Sequence, residues 1–120
     1  MILLDTSAII WLGTNHRRTR PLATSAQPLC ISPASLLELQ FLTEAGRLRL
    51  RRGASIADDP RWVVDEPLPG RWFEAAGELG WTRDPFDRLI VAHALVRGLR
   101  LATADVEILS RLRPRQVLEL

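Results

Sequence analysis

The same local order recurs along this chain: a short apolar run, then a polar residue able to cap a helix, and then a helix. The predicted strands lie at residues 1–4, 29–31, 62–64, 99–103 and 116–120, of which the third is the weakest. Parallel neighbours in a sheet need crossover connections, which are usually helices. Strands that alternate with helices therefore predict an α/β fold with a mostly parallel sheet of four or five strands, covered on both faces.

Helix signals fill the segments between these runs. Ser32 at a cap followed by Pro33 is a favoured helix start, and Asp84 followed by Pro85 is another. The predicted helices lie near residues 8–12, 22–26, 33–46, 71–79, 85–98 and 106–112, and residues 47–57 are predicted to be a loop or short helix. A length of 120 residues fits one core, so residues 1–120 are predicted to form a single domain.

Composition excludes several classes of protein. Apolar residues make up 47% of the chain and charged residues 25%, which is typical of globular proteins rather than disordered chains. Cys30 is the only cysteine, which excludes an internal disulfide and a cysteine-rich zinc site and favours a reducing, cytoplasmic setting. The apolar runs are far shorter than the roughly 20 residues of a membrane span, and no signal peptide is predicted. We therefore expect no membrane association.

Acidic side chains gather where a parallel sheet would place a ligand site. Asp5 and Asp105 come directly after predicted strands. Asp87 lies in the first turn of the helix before the fourth strand, and Glu38 lies in the second turn of the helix after the second strand. In open α/β sheets, ligands bind beyond the carboxyl ends of the strands. These carboxylates are therefore expected to face one site.

Glu38 is the most informative of these acids, because its helical neighbours form a largely buried stripe. Those neighbours are Ala34, Ser35, Phe41 and Leu42. Burying an unpaired charge costs several kcal/mol, so Glu38 must pair with an arginine, take up a proton or bind a cation. The sequence leaves open whether it forms an ion pair between helices or belongs to a site.

Helix capping is the alternative explanation for the other acids. Asp84 is best explained as the cap of the helix that begins at Pro85, and Asp5 and Asp105, taken singly, are equally well explained as caps. Four converging carboxylates would repel one another, however, and need a divalent cation to neutralise them. Oxygen ligands favour Mg²⁺ or Mn²⁺. His16 and His93 are too few for a zinc set, and His93 is expected to be a hydrogen-bonded core or rim residue.

Four segments in order along the chain resemble the PIN-domain proteins, and VapC-type toxins in particular. They are MILLDTSA at 1–8, SPASLLEL at 32–39, RDPFDRLIVAHA at 83–94 and LATAD at 101–105. The resemblance covers most of the chain and is weakest between residues 54 and 70. It implies an α/β/α sandwich, metal-dependent endoribonuclease activity on RNA, a VapB-like antitoxin partner and homodimerisation.

The resemblance also implies roles for individual residues. Matched to the family pattern, the catalytic and metal-binding acids are Asp5, Glu38, Asp87 and Asp105, and the accessory residues are Asp84, Thr6 and Thr103. Ile108 departs from the pattern, because an aromatic residue often stands there. The implied reaction is attack of an activated water on the RNA phosphorus, which leaves 3′-hydroxyl and 5′-phosphate ends.

Basic residues in the first half of the chain are candidate RNA contacts. All 16 basic residues are Arg, and residues 1–53 carry seven of them against three acids. This asymmetry permits nucleic acid as a partner without requiring it. Arg47, Arg49, Arg51 and Arg52 could hold phosphates flanking the cleaved bond, although a solvated loop explains them equally simply.

Two other functions remain open at this stage. A Rossmann-like phosphatase or phospho-receiver domain also places an aspartate after its first strand, but both normally need a lysine, and this chain has none. A non-catalytic module is the other, in which the acidic pocket receives an arginine from a partner chain. A P-loop, a Ser/His/Asp arrangement and a glycine-rich dinucleotide turn are all absent from the sequence. Trp62, Trp72 and Trp81 are expected to be exposed and available to a dimer interface.

Overall fold

The central sheet contains five parallel strands. The computed structural model describes residues 1–49 and 55–120. The strands are β1 (Ile2–Leu4), β2 (Leu29–Ile31), β3 (Val63–Val64), β4 (Arg100–Thr103) and β5 (Val117–Glu119), in the spatial order β3-β2-β1-β4-β5. Every neighbouring pair is parallel. The predicted α/β class and mostly parallel sheet are confirmed.

The strand order reverses between β1 and β4. From β1 the chain builds outward through β2 to β3, and it then returns to the other side of β1 to add β4 and β5. Leu4 of β1 pairs in register with Ala102 of β4, so these two strands end side by side. A crevice forms at such a switch point beyond the carboxyl ends of the strands.

Helices connect the strands close to the predicted positions. They are α1 (Thr6–Gly13), α2 (Arg20–Ala23), α3 (Pro33–Glu44), α4 (Pro69–Gly77), α5 (Pro85–Arg97) and α6 (Val106–Arg111), with 3₁₀ turns at Arg17–Thr19 and Pro114–Gln116. Asp5, Ser32, Asp84 and Asp105 cap α1, α3, α5 and α6 with their side chains. Gly98 ends α5 with φ +64°, a left-handed conformation that glycine adopts without steric cost. Helix α2 begins two residues earlier than predicted, because Pro21 stands in its first turn.

Two apolar layers cover the faces of the sheet. Leu3 and Cys30 point into one layer, which packs against α4 and α5, whereas Ile2, Leu4 and Ile31 point into the other, which packs against α1 and α3. This alternation follows from the two-residue period of a strand. Both faces of β1 are buried, as expected for the middle strand of an α/β/α sandwich.

Two of the three tryptophans expected at the surface are in the core. Trp62 is 4% exposed and Trp72 is 7% exposed. Their indole nitrogens donate to the carbonyls of Ile56 at 2.8 Å and Leu89 at 2.7 Å. The prediction that they are exposed is therefore wrong, because each buried indole finds a backbone acceptor. Trp81 is partly exposed.

Residues 47–49 and 55–57 are irregular, which agrees with the predicted loop in this part of the chain. Leu50, Arg51, Arg52, Gly53 and Ala54 lie outside the described residues. No helix in the described part of the chain has the length and apolar character needed to cross a bilayer.

Candidate active site

An open cleft of about 260 Å³ lies where β1 and β4 end. Four segments that are distant in sequence contribute carboxylates to its walls. These are Asp5, Glu38, Asp87 and Asp105. The structure therefore brings all four sequence-predicted acids to one site, at the switch point of the sheet.

Asp5 joins the end of β1 to the start of α1. Its backbone N–H donates to the carbonyl of Ala102 at 3.1 Å, and its Oδ1 accepts from the backbone N–H of Ala8 at 2.8 Å. Burial raises the pKa of Asp5, and the charge of Asp105 adds to that rise. Hydrogen bonds from Thr103 and Ala8 lower the pKa in part. Without a nearby cation, this buried carboxyl holds its proton more tightly than an exposed one.

Glu38 faces the cleft from α3 and is half-buried. The hydroxyl of Thr6 donates a hydrogen bond to its Oε1, and that hydroxyl also lies 3.2 Å from the hydroxyl of Ser35. Burial raises the pKa of Glu38, as do the charges of Asp84 and Asp5. Among residues 1–49 and 55–120, no arginine or histidine forms an ion pair with Glu38. The arginine-pair explanation is therefore excluded for the described part of the chain, which leaves a proton or a cation.

Asp87 lies in the first turn of α5, and four other acids act on its pKa. Burial raises its pKa to about 7, with further contributions from Asp84, Glu38, Asp105 and Asp5, in that order. All of these charges are negative. Asp87 is therefore partly protonated at neutral pH unless positive charge is supplied.

Asp105 shows that capping and lining the cleft are compatible roles. Its Oδ1 accepts from the backbone N–H groups of Glu107 at 2.9 Å and Ile108 at 3.0 Å, at the start of α6. Its own N–H donates to the buried hydroxyl of Thr103 at 3.0 Å. Asp5 caps α1 in the same way, so both acids use Oδ1 as a cap while their carboxylates border the cleft.

Asp84 acts as a cap, as the sequence indicates. Its Oδ1 accepts from the N–H groups of Phe86 at 2.8 Å and Asp87 at 3.2 Å. The residue is exposed and is not among those that line the cleft. Its charge nevertheless raises the pKa of Glu38 and of Asp87. Its accessory contribution is therefore electrostatic.

The donor set suits a hard, partly hydrated cation. All four acids offer oxygen, and neither His16 nor His93 lines the cleft, so the residues do not fit a zinc site. Within the described ranges, no three His, Cys, Asp or Glu side chains already surround one point closely enough to enclose an ion. Mg²⁺ typically binds through one or two carboxylates and keeps several waters, so it does not require such a cage. A divalent ion would also offset the repulsion that raises the pKa of Asp87.

Residues 2–113 match the PIN domain family, which covers most of the chain and includes all four acids. The chain belongs to the PIN-domain family. Over 97% of its length it is 30% identical to ribonuclease VapC22 of Mycobacterium tuberculosis, of which it covers 95%.

The fold is shared with chains of solved toxin-antitoxin and VapBC structures. A chain from a toxin-antitoxin complex of Klebsiella pneumoniae matches with a TM-score of 0.73 and 17% identity, and each chain is covered in full. A chain of VapBC2 from Rickettsia felis, bound to a promoter DNA fragment, matches with a TM-score of 0.64 and 20% identity over 99% of this chain and 98% of that one. At these identities the likeness concerns the fold.

The cleft of this PIN domain also contains residues that the sequence did not single out. Trp11 and Arg18 line it together with Ser7. The Arg18 guanidinium carbon lies 5.4 Å from the centre of the Trp11 ring. The sequence contained a partial signal, because Ser7 and Trp11 belong to the helix that begins directly after Asp5. Arg18 follows a bend in the chain and had no such signal.

Arg47 and Arg49, two of the arginines predicted to contact RNA, do not line this cleft. Arg47 is exposed, and Arg49 lines a separate groove formed with Ile9, Ile56 and Trp62. Arg51 and Arg52 lie outside the described residues.

A charge network of buried Asp65 and His93 with exposed Arg97 anchors α5 of the PIN domain away from the cleft. His93 is fully buried, and its Nε2 lies 2.7 Å from Asp65 Oδ2. Arg97 donates from Nε and Nη2 to the two oxygens of Asp65, at 3.0 and 3.1 Å. Hydrogen bonding to Arg97 and His93 lowers the pKa of Asp65, whereas burial lowers the pKa of His93. His93 is a hydrogen-bonded core residue, as predicted; Asp65, its partner, was missed.

Proposed function

We propose that this PIN-domain protein is a metal-dependent endoribonuclease and acts as the toxin of a toxin-antitoxin pair. The observation that carries the proposal is the convergence of Asp5, Glu38, Asp87 and Asp105 on one cleft, with the pKa of Asp87 raised to about 7 by burial and by its acidic neighbours. The 30% identity to ribonuclease VapC22 along nearly the whole chain supports the same activity.

In this proposal the four acids of the cleft share one role, which is to hold the metal. Asp5, Asp87, Asp105 and Glu38 hold Mg²⁺ or Mn²⁺, directly or through water. Such an ion, when bound, lowers the pKa of a water and neutralises charge on the phosphate oxygens. Thr6 keeps Glu38 turned into the cleft, and Thr103 fixes the segment that joins β4 to Asp105. The chain thus contributes a prearranged set of oxygens and an entrance for the RNA strand.

The proposal includes a protein partner, which the structurally similar proteins suggest. The solved structures that share this fold include toxin-antitoxin complexes, so we infer a VapB-like antitoxin as the natural inhibitor. Homodimerisation is part of the same proposal. A non-catalytic module that only receives an arginine from a partner is the alternative that the experiment below addresses.

The test is cleavage of a 5′-labelled single-stranded RNA by the purified protein with Mn²⁺ or Mg²⁺. We expect cutting that EDTA abolishes and that Asp5→Asn reduces at least about 100-fold, since partners of ligands alone typically change metal-site activity 10–100-fold. Asparagine also caps helices well, so α1 stays intact in the variant. A folded wild-type protein that cuts no RNA with either ion would overturn the proposal and favour the binding module. Equal cutting by Asp5→Asn would overturn the site.

A further inference from the structure

Arg18 is a cation at the edge of an acidic cleft, and it forms no ion pair with an acid of the described part of the chain. It lines the cleft beside Asp5, Glu38, Asp87 and Asp105. The ion pairs of residues 1–49 and 55–120 involve Arg61, His93, Arg97 and Arg111, and none involves Arg18. Its hydrogen-bonding edge is therefore not committed to a carboxylate of the described chain.

Arg18 is exposed, and two aromatic residues contact it, Trp11 at the side chain and His16 at the backbone. The guanidinium lies over the Trp11 ring, and Trp11 stacks on His16 with centroids 5.1 Å apart and an angle of 23° between the planes. Nδ1 of His16 accepts the backbone N–H of Arg18 at 3.1 Å, and the N–H of His16 donates to the carbonyl of Trp11 at 2.9 Å. The backbone and the side chain of Arg18 are thus both held against the end of α1.

This arrangement leaves Arg18 suited to bind an anion. The guanidinium carbon lies 5.4 Å from the centre of the Trp11 ring, and no hydrogen bond or ion pair among the described residues uses the guanidinium N–H groups. They are therefore free to donate to another group. Those donors match two oxygens of a phosphate. The Trp11 ring already contacts His16 and Arg18, which makes it a support for the arginine rather than a platform for a nucleotide base.

An RNA strand needs such a contact to approach this cleft. Its phosphates are anionic, and the walls they approach carry four carboxylates. A fixed cation at the mouth offsets that repulsion and sets which phosphate enters.

We propose that Arg18 binds a backbone phosphate of the RNA substrate beside the cleaved bond, with Trp11 and His16 as positioning residues. The inference rests on the proposed ribonuclease function. It gives Arg18 a phosphate contact of the kind that the sequence predicted for Arg47, Arg49, Arg51 and Arg52.

The test compares Arg18→Gln with Arg17→Gln, which removes the same charge one residue away. Arg17 is exposed and is not among the residues of the cleft. We expect Arg18→Gln to raise KM for a labelled single-stranded RNA about 10-fold or more, with kcat changed far less, because a ground-state contact is lost. Arg17→Gln should change KM less than about 2-fold. Mn²⁺ affinity, measured by calorimetry, should be unchanged in both.

Binding without cleavage gives the second measurement. In an Asp5→Asn background with EDTA, the slope of log affinity for the same RNA against log salt should fall by about 0.7 when Arg18→Gln is added, and should not change with Arg17→Gln. Trp11→Leu should weaken binding in the same direction, whereas Trp11→Phe, which keeps an aromatic face, should retain most of it. Circular dichroism confirms that each variant is folded.

The outcomes separate the two proposals. Wild-type cleavage with equal KM values and equal salt slopes for the Arg17 and Arg18 variants contradicts the phosphate contact alone. RNA that binds through Arg18 but is never cut contradicts the ribonuclease function and leaves the contact supported. Equal binding by Trp11→Leu and wild type contradicts the positioning role of Trp11.

Discussion

The hydroxyl of Thr6 donates a hydrogen bond to the carboxylate of Glu38, which joins the first residue of α1 to the second turn of α3. Thr6 directly follows Asp5, so the contact sets the separation of two acids that are distant in sequence. Glu38 has no ion pair within the described residues, and this hydroxyl is the group that lowers its pKa against the effect of burial.

Removal of that hydroxyl should weaken metal binding. Thr6→Val keeps the shape of the side chain and loses the donor, so Glu38 is less well oriented and its pKa rises further. We expect Mn²⁺ affinity to fall 10–100-fold, the usual effect of losing a group that orients a ligand. Thr6→Ser, which keeps the hydroxyl, should stay near wild type. Titration calorimetry at pH 7.5 measures both, and indistinguishable affinities for the Val and Ser variants would refute the role of Thr6.

Two acidic caps should differ sharply in their effect on catalysis. Asp105 and Asp84 both cap helices, but only Asp105 borders the cleft. Because asparagine preserves either cap, Asp105→Asn and Asp84→Asn each remove a charge with little cost to the helix. We expect Asp105→Asn to lose at least about 100-fold in RNA cleavage rate and Asp84→Asn to lose less than about 10-fold. Similar losses of cleavage rate in the two variants would contradict the special role of Asp105 as a residue that lines the cleft.

The stability conferred by Asp87→Asn should depend on pH. The pKa of Asp87 is raised to about 7 in the folded protein from about 3.8, so its charge opposes folding above pH 7 and this penalty disappears as the pH falls toward 4. In EDTA, Asp87→Asn should therefore melt at a higher temperature than wild type at pH 8, and the difference should shrink as the pH falls below 7. Saturating Mn²⁺ should stabilise the wild type at pH 8 more than the variant. Thermal melts followed by circular dichroism provide the data; a difference that grows toward low pH would contradict the assignment.

The network around His93 should matter for stability and not for the cleft. Asp65→Asn removes the negative charge that faces Arg97 and His93, and Nδ1 of His93 already lacks a partner within the described residues. We expect a loss of about 1–3 kcal/mol in the free energy of unfolding, the usual cost of an unsatisfied buried group. Asp59→Asn, at the partly exposed pair with Arg61, should cost at most about 1 kcal/mol. Urea unfolding measures the loss in both variants, and equal losses would contradict the structural role of the network around His93.

The acids of the cleft could be predicted from the sequence because their positions follow from local rules. Asp5 and Asp105 end apolar runs, and parallel strands bring such ends to one edge. A carboxylate on a buried stripe needs a partner, and the sequence left open whether the partner of Glu38 is an arginine or a cation at a site. Helix starts at Ser32 and Asp84 were likewise set by residues next to each other in the chain.

Features that depend on contacts between distant segments could not be predicted in this way. Arg18 reaches the cleft only because the chain bends after α1 and His16 caps the following turn. Asp65 and His93 are 28 residues apart, and nothing local to either indicates the other. The burial of Trp62 and Trp72 depends on hydrogen bonds from their indoles to the carbonyls of Ile56 and Leu89. Only the folded chain brings these groups together.

The most direct test of the account is the anomalous difference density of crystals soaked in Mn²⁺. We predict a peak in the cleft, bounded by the carboxylates of Asp5, Asp87 and Asp105, that is lost in crystals of Asp5→Asn. A cleft without a peak at saturating Mn²⁺, with these three side chains ordered, would contradict the claim that the acids converge to bind a divalent ion.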